Sequence, residues 1–186
     1  AQMKLHELDF TRTFRELADM GFSYQKLDFL YVAAMQAVAH DPRMTRAGRL
    51  RAGLEAVRRG TGDEAFLLGC GCPLGPAVGI VDGMRIGPDV APSWETDAAI
   101  RIPGCEPTQP ATKSALRNVL NRLWMHRRLW QNDPDCLMAR TDDTALSSDE
   151  AATLAHSIAA SGGMAIFSDD LPLLDADARR LVSETL

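Results

Sequence analysis

The chain has 186 residues, enough for one domain with a substantial core. Its hydrophobic content of 46%, charged content of 24% and formal net charge of −5 are ordinary for a globular protein and argue against nucleic acid as a partner, which asks for a basic face. No run of roughly 18 apolar residues occurs, so neither a membrane span nor a membrane partner is expected.

Thr11 to Met20 places Phe14, Leu17 and Ala18 on one helical face, and Gly21 follows where a helix ends. The aromatic and branched stretch after it predicts a strand over Ser23–Leu27 that delivers Asp28. Arg43 to Gly60 predicts a second amphipathic helix, opened near Thr45 and closed by Gly60, with its arginines on a solvated face. Ala65–Gly69 is a short apolar run of the kind found in buried parallel strands, and Ile80–Ile86 predicts another strand. Pro88 to Pro110 holds five prolines and little periodicity, which predicts a long loop.

The longest helix is expected over Thr112–Leu129, with Leu116, Val119, Leu120 and Leu123 as its buried stripe. In WQNDPDCLMAR the turn is DPD, and a strand lies before or after it. Ser147 and Glu150 form a capping box for a helix over Ser148–Ala160. MAIFS then predicts a buried strand, SDDLP a turn, and Leu173–Thr185 a last helix. Helices and strands therefore alternate, as in a parallel α/β protein. A doubly wound sheet and a (β/α) barrel both fit. No GxGxxG or GxxxxGK[ST] motif supports a nucleotide-dependent enzyme, such as a flavin or nicotinamide oxidoreductase.

Cys70 and Cys72 stand too close for an easy disulfide, and no metal-ligand spacing accompanies them. Together with Cys105 and Cys136 they read as buried reduced thiols. The first residues carry no apolar leader, and the chain starts without an initiating Met, which suggests a processed or truncated product. Thiols without a leader lean towards the cytoplasm.

In parallel α/β proteins functional groups follow the carboxyl ends of the strands. Those positions hold Asp28, Cys70, Asp89, Asp133, Asp135, Asp169 and Asp170, with Lys26 and Arg85 among them. Two carboxylates flanked by cations suit glycoside hydrolysis, one attacking or stabilising the sugar cation and the other protonating the leaving oxygen. A retaining pair needs its carboxyl groups about 5–5.5 Å apart, an inverting pair about 6.5–9.5 Å apart.

Five motifs in order extend this. They are KLDFLY at 26–31, CGCPL at 70–74, RIGPDVAPSW at 85–94, WQNDPDCLM at 130–138, and the segment from Leu146 ending in SDDL at 168–171. Together they resemble the α-galactosidase (melibiase) clan, glycoside hydrolase families 27 and 36, over nearly the whole chain. The resemblance implies a partial (β/α)8 TIM barrel. Residues 1–186 would form one partial catalytic domain whose strands resemble β4 to β8 of the full barrel. It implies Asp28 as nucleophile, Asp89 as general acid/base, retention of configuration, and no metal or organic cofactor. Lys26 is then placed to bind sugar hydroxyls and to keep Asp28 ionised. Arg85 faces the sugar near its 2-position, Cys70 and Gly71 shape the pocket, and Trp94 forms part of an apolar wall. Asp133 and Asp135 are scaffold carboxylates that hold loop amides.

Two departures from the clan bear on specificity and completeness. Gly71 stands where one branch has Glu and the other begins a Ser-Gly-Gly-Gly run, so a 2-hydroxyl and a 2-acetamido pocket both stay open. The expected activity is hydrolysis of terminal α-galactosyl groups from oligosaccharides or glycoconjugates. The alternatives are an α-N-acetylgalactosaminidase, a raffinose-type transglycosylase, and a non-catalytic carbohydrate-binding fragment. The amino-terminal barrel strands have no counterpart here. The expected partners are therefore a carbohydrate substrate and either the missing barrel half or further copies of the chain, because an open sheet exposes an edge.

Overall fold

The computed structural model describes residues 7–38, 41–96 and 110–186. Cys105 and positions 97–109 of the long loop lie outside the described residues. The chain divides into two units, Ala1–Met84 and Arg85–Leu186.

In the first unit, α1 (Glu7–Asp19), β1 (Tyr24–Leu27), α2 (Arg46–Thr61) and β2 (Phe66–Gly69) follow the expected order. β1 and β2 pair in parallel, with Tyr24 opposite Phe66 and Leu27 opposite Gly69. Such a pair needs a crossover, which α2 supplies. Thr45 caps α2 by accepting the Gly48 N–H at 3.0 Å. The other end departs from expectation, because Gly60 lies inside the helix and Gly62, at φ 74°, caps it. A Cβ on Gly60 would stand 2.5 Å from the Thr11 carbonyl oxygen and 3.0 Å from Phe14 Cβ. Gly60 thus permits the close approach of α1 and α2.

The arginines of α2 correct a second expectation, that of a merely solvated face. Arg51 donates to the carbonyls of Pro76 and Val78, and Arg58 donates to those of Ala65 and Ile80 and pairs with Asp82. Asp82 in turn accepts the Leu67 N–H at 2.8 Å. That tie holds the chain before β3 (Gly83–Arg85), which is shorter than the expected Ile80–Ile86. A single helical turn, α3 (Leu74–Ala77), precedes it, in a glycine- and proline-rich stretch without helical periodicity. β3 pairs in parallel with β2, Leu68 opposite Gly83.

In the second unit, α4 (Thr112–Arg122) stops short of Leu129, giving way to a 3-10 turn at Leu123–Met125. The stop has a tertiary cause: the Arg122 side chain donates to the Ile86 carbonyl, and the Arg122 carbonyl accepts Asn132 Nδ2. The buried face of α4 is Thr112, Ala115, Leu116 and Val119, whereas Leu120 is 56% exposed. The open choice around DPD is answered by strands on both sides, β4 (Gln131–Asp133) and β5 (Cys136–Leu137). α5 (Ser148–Ser161) begins at the expected capping box. β6 (Ile166–Phe167) pairs in parallel with β5 but is half-buried, not fully buried. α6 (Ala176–Thr185) starts three residues late because Asp175 accepts the Ala178 N–H and caps it there. Leu116, Leu137, Met138, Leu154, Ala155 and Ile158 form the core of this unit. No described helix is long and apolar enough to cross a membrane.

Candidate functional site

Asp28 leaves the carboxyl end of β1, and the register of β1 and β2 sets Cys70 beside it. The Cys70 N–H donates to the Leu27 carbonyl at 2.8 Å. A regular parallel ladder would next return the Phe29 N–H to the Cys70 carbonyl. Phe29 instead takes a left-handed backbone, φ 53°, and turns its N–H onto Asp28 Oδ1 at 2.7 Å. Leu30 N–H takes the Cys70 carbonyl at 3.4 Å. A bulky residue in this conformation stores strain, and such strain clusters at functional sites.

Lys26 Nζ stands 3.6 Å from Asp28 Oδ2, both side chains being about 40% exposed (40% and 44%). Partial burial pushes the Asp28 carboxyl up, but the Phe29 N–H, the Cys70 thiol and the Lys26 ammonium together outweigh it. The net result lies below the usual carboxylate range. Lys26 therefore contributes to keeping Asp28 ionised, behind the amide and the thiol. A cavity of about 470 Å³ opens beside this group, lined by Lys26, Asp28 and Arg49 and by apolar residues that include Phe14, Leu30 and Leu50.

Gly71 is left-handed, φ 54°, and its carbonyl accepts the Tyr31 N–H at 2.6 Å. A Cβ there would point at the Phe29 backbone and the Tyr31 ring, 3.4 Å away. Glycine thus answers a backbone requirement at this position. Burial pushes the neighbouring Cys72 thiol up to about 11, so it stays protonated at neutral pH.

The second unit holds Arg85, Asp89 and Trp94. Arg85 is 7% exposed and its guanidinium faces three carboxylates. Nε lies 3.1 Å from Asp133 Oδ2, Nη1 2.9 Å from Asp89 Oδ1, and Nη2 2.8 Å from Asp135 Oδ1. Asp133 also accepts the Asp135 N–H, and Asp135 accepts the N–H groups of Val90 and Cys136. Asp89 is different: its side chain is 67% exposed, and its backbone carbonyl accepts the Ala111 N–H just ahead of α4. The carbonyls of Ser93 and Trp94 accept the next two amides, from Thr112 and Lys113. The first N–H groups of α4 need such partners. Trp94 is half-buried and packs on the core formed by α4, β5 and α5.

The carboxylates of the expected rim thus fall into two kinds. Asp133, Asp135 and the buried Asp169, which accepts the Ala139 and Arg140 amides, hold backbone. Asp28, Asp89 and Asp170 are exposed instead. A nucleophile and a proton donor require such exposure, and Asp28 and Asp89 in addition stand beside a cation, Lys26 and Arg85 respectively. Sequence reading missed the left-handed Phe29 and the thiol contact with Asp28. The second becomes visible once the register of β1 and β2 is known, because position 70 then neighbours position 28. Among the described residues no group of three or more His, Cys, Asp or Glu side chains is placed to hold a metal ion.

No protein-family model matches the chain. Among solved structures, the α-galactosidase of Thermus thermophilus in complex with stachyose is similar at 31% identity and a TM-score of 0.80. That match covers 95% of this chain and 36% of the Thermus enzyme. The α-galactosidase I of Mortierella vinacea matches at 18% identity and a TM-score of 0.69, over 92% of this chain and 44% of that enzyme. The Saccharomyces cerevisiae α-galactosidase with raffinose matches at 17% identity and 0.66, over 92% and 39%. The chain therefore spans between about a third and under a half of these enzymes, and its fold is that of a partial (β/α)8 barrel.

Proposed function

We propose that this chain, similar over nearly its whole length to part of the α-galactosidase barrel, carries the catalytic pair of a retaining glycosidase acting on terminal α-galactosyl groups. The observation that carries the reading is the 31% identity to the Thermus enzyme across 95% of the chain. The chemistry of the two exposed carboxylates supports it. Asp28, ionised beside Lys26, attacks the anomeric carbon as Asp89 gives its proton to the departing glycosidic oxygen. A covalent galactosyl ester on Asp28 results. Asp89, now a carboxylate, takes a proton from water, the water oxygen attacks the same carbon, and Asp28 leaves unchanged.

Arg85 positions the acid/base through its contact with Asp89, and Asp133 and Asp135 anchor Arg85 in turn. Lys26 and Trp94 are assigned to the sugar. The remaining walls of the pocket lie outside these 186 residues, as the partial coverage of the neighbouring barrels suggests. The test is hydrolysis of p-nitrophenyl α-galactoside and p-nitrophenyl α-N-acetylgalactosaminide by the protein that carries this chain. Product configuration is read by NMR before mutarotation. Release from the galactoside with α-galactose formed first is expected. Preference for the acetamido sugar would move the assignment to the alternative substrate, and inactivity on both would overturn it.

A further inference from the structure

Cys70 is 3% exposed and is not in a disulfide. Its backbone is fixed from both sides, through the Leu27 carbonyl and the Leu30 N–H. Register places its side chain next to Asp28 on the same side of the β1–β2 pair, since Leu27 lies opposite Gly69. Asp28 Oδ1 is taken by the Phe29 N–H and Oδ2 faces Lys26, so the carboxylate is gripped by backbone and ammonium and has lone pairs left for a third donor. The buried thiol, which the strand register sets beside Asp28, is placed to supply it. The charged side chains that share the cavity with Asp28 are Lys26 of β1 and Arg49 of α2. Neither offers a donor fixed by the strand pair itself, as the Cys70 thiol is.

We propose that Cys70 is a positioning residue for Asp28, its buried thiol donating to the carboxylate so that one rotamer presents an oxygen for attack. Carboxylates fixed by several donors lose little on reaching a transition state, whereas a swinging one must first be ordered. The inference rests on the glycosidase reading only for its kinetic consequence. The hydrogen bond itself is independent of that reading.

The experiment follows the Asp28 carboxyl carbon by NMR through an acid titration of the chain, with Cys70→Ala, Cys70→Val and Cys70→Ser compared. Thermal unfolding is recorded to choose whichever donor-free variant folds. Loss of the donor is expected to move the Asp28 midpoint upward, and serine, which donates, to bring it back towards the wild type. In the activity arm, the donor-free variant should lose about tenfold in the rate of glycosyl transfer to Asp28, the order of one hydrogen bond to a charged group. KM should change less than kcat, because the thiol touches the nucleophile. An unmoved midpoint in the donor-free variant overturns the role of Cys70 whatever the activity shows. An upward midpoint with no glycosidase activity in the wild type keeps the hydrogen bond and removes the glycosidase reading instead.

Discussion

Replacing Arg85 by methionine keeps the length and packing of the side chain and removes the cation that Asp133 and Asp135 face. The Asp133 side chain is fully buried at 0% exposure and that of Asp135 is 9% exposed, so water cannot take the place of the guanidinium. Removing one partner of a buried ion pair costs about 3–5 kcal/mol. The amides of Asp135, Val90 and Cys136 remain as donors, which favours the lower end, about 3 kcal/mol. The contact with Asp89 adds little to stability, because that carboxylate is 67% exposed. For a chain of this size the loss corresponds to a fall of about 6–12 °C in Tm. Lysine should fall between methionine and arginine, since a single ammonium cannot face three carboxylates in the plane of a guanidinium fork. Urea unfolding followed by circular dichroism, with the slope m unchanged, reads the effect. A methionine variant within about 1 kcal/mol of the wild type, or a lysine variant equal to it, would refute the account of the clamp.

Glycine substitutions in α2 should have opposite signs. Gly60→Ala drives a Cβ against α1 and should cost about 1–3 kcal/mol by overpacking. Gly53→Ala meets nothing within 4 Å and should stabilise the helix by about 0.5–1 kcal/mol; equal effects in denaturation would contradict the packing described. The Asp28 carboxyl lies below its usual range in the folded chain, so it contributes stability above its unfolded value and loses it as pH falls through the folded one. The stability difference between wild type and Asp28→Asn should therefore shrink on acidification below about pH 4, and a difference constant across the acid range counts against the assignment of that shift. Asp89→Asn should slow hydrolysis of galactosides with poor leaving groups by about 10²–10⁴-fold and affect activated aryl galactosides much less. Equal losses on both substrate types would remove Asp89 from the role of acid.

The alternation of helices and parallel strands was legible because the local signals agree with the fold. The Thr45 and Ser147 caps, the apolar run before Gly69 and the motif order all point one way. Boundaries failed where tertiary ties intervene. α4 stops at Arg122 because that residue is held by Ile86 and Asn132, and no pattern in LWMHRRL announces it. Leu120 looked buried by spacing, yet α4 buries the stripe that begins at Thr112 and leaves Leu120 outside. Gly60 has the sequence signature of a helix end because glycine favours that position, whereas it serves contact with a helix some 45 residues earlier in sequence, a distance no local rule spans. Within the candidate site, Asp28 and Asp89 could be named from motif and charge. That Asp133, Asp135 and Asp169 hold backbone whereas Asp170 stays exposed depends on burial. The contact of Cys70 with Asp28 depends on register.

The claim that Asp28 becomes galactosylated is tested most directly by trapping. The protein that carries this chain is treated with an activated fluorogalactoside that forms the ester quickly and hydrolyses it slowly, then digested and mapped by mass spectrometry. A single galactosyl adduct on the peptide containing Asp28, absent from Asp28→Asn, is the predicted result. An adduct on another carboxylate, or steady turnover of α-galactosides with inverted product and no adduct, would contradict it.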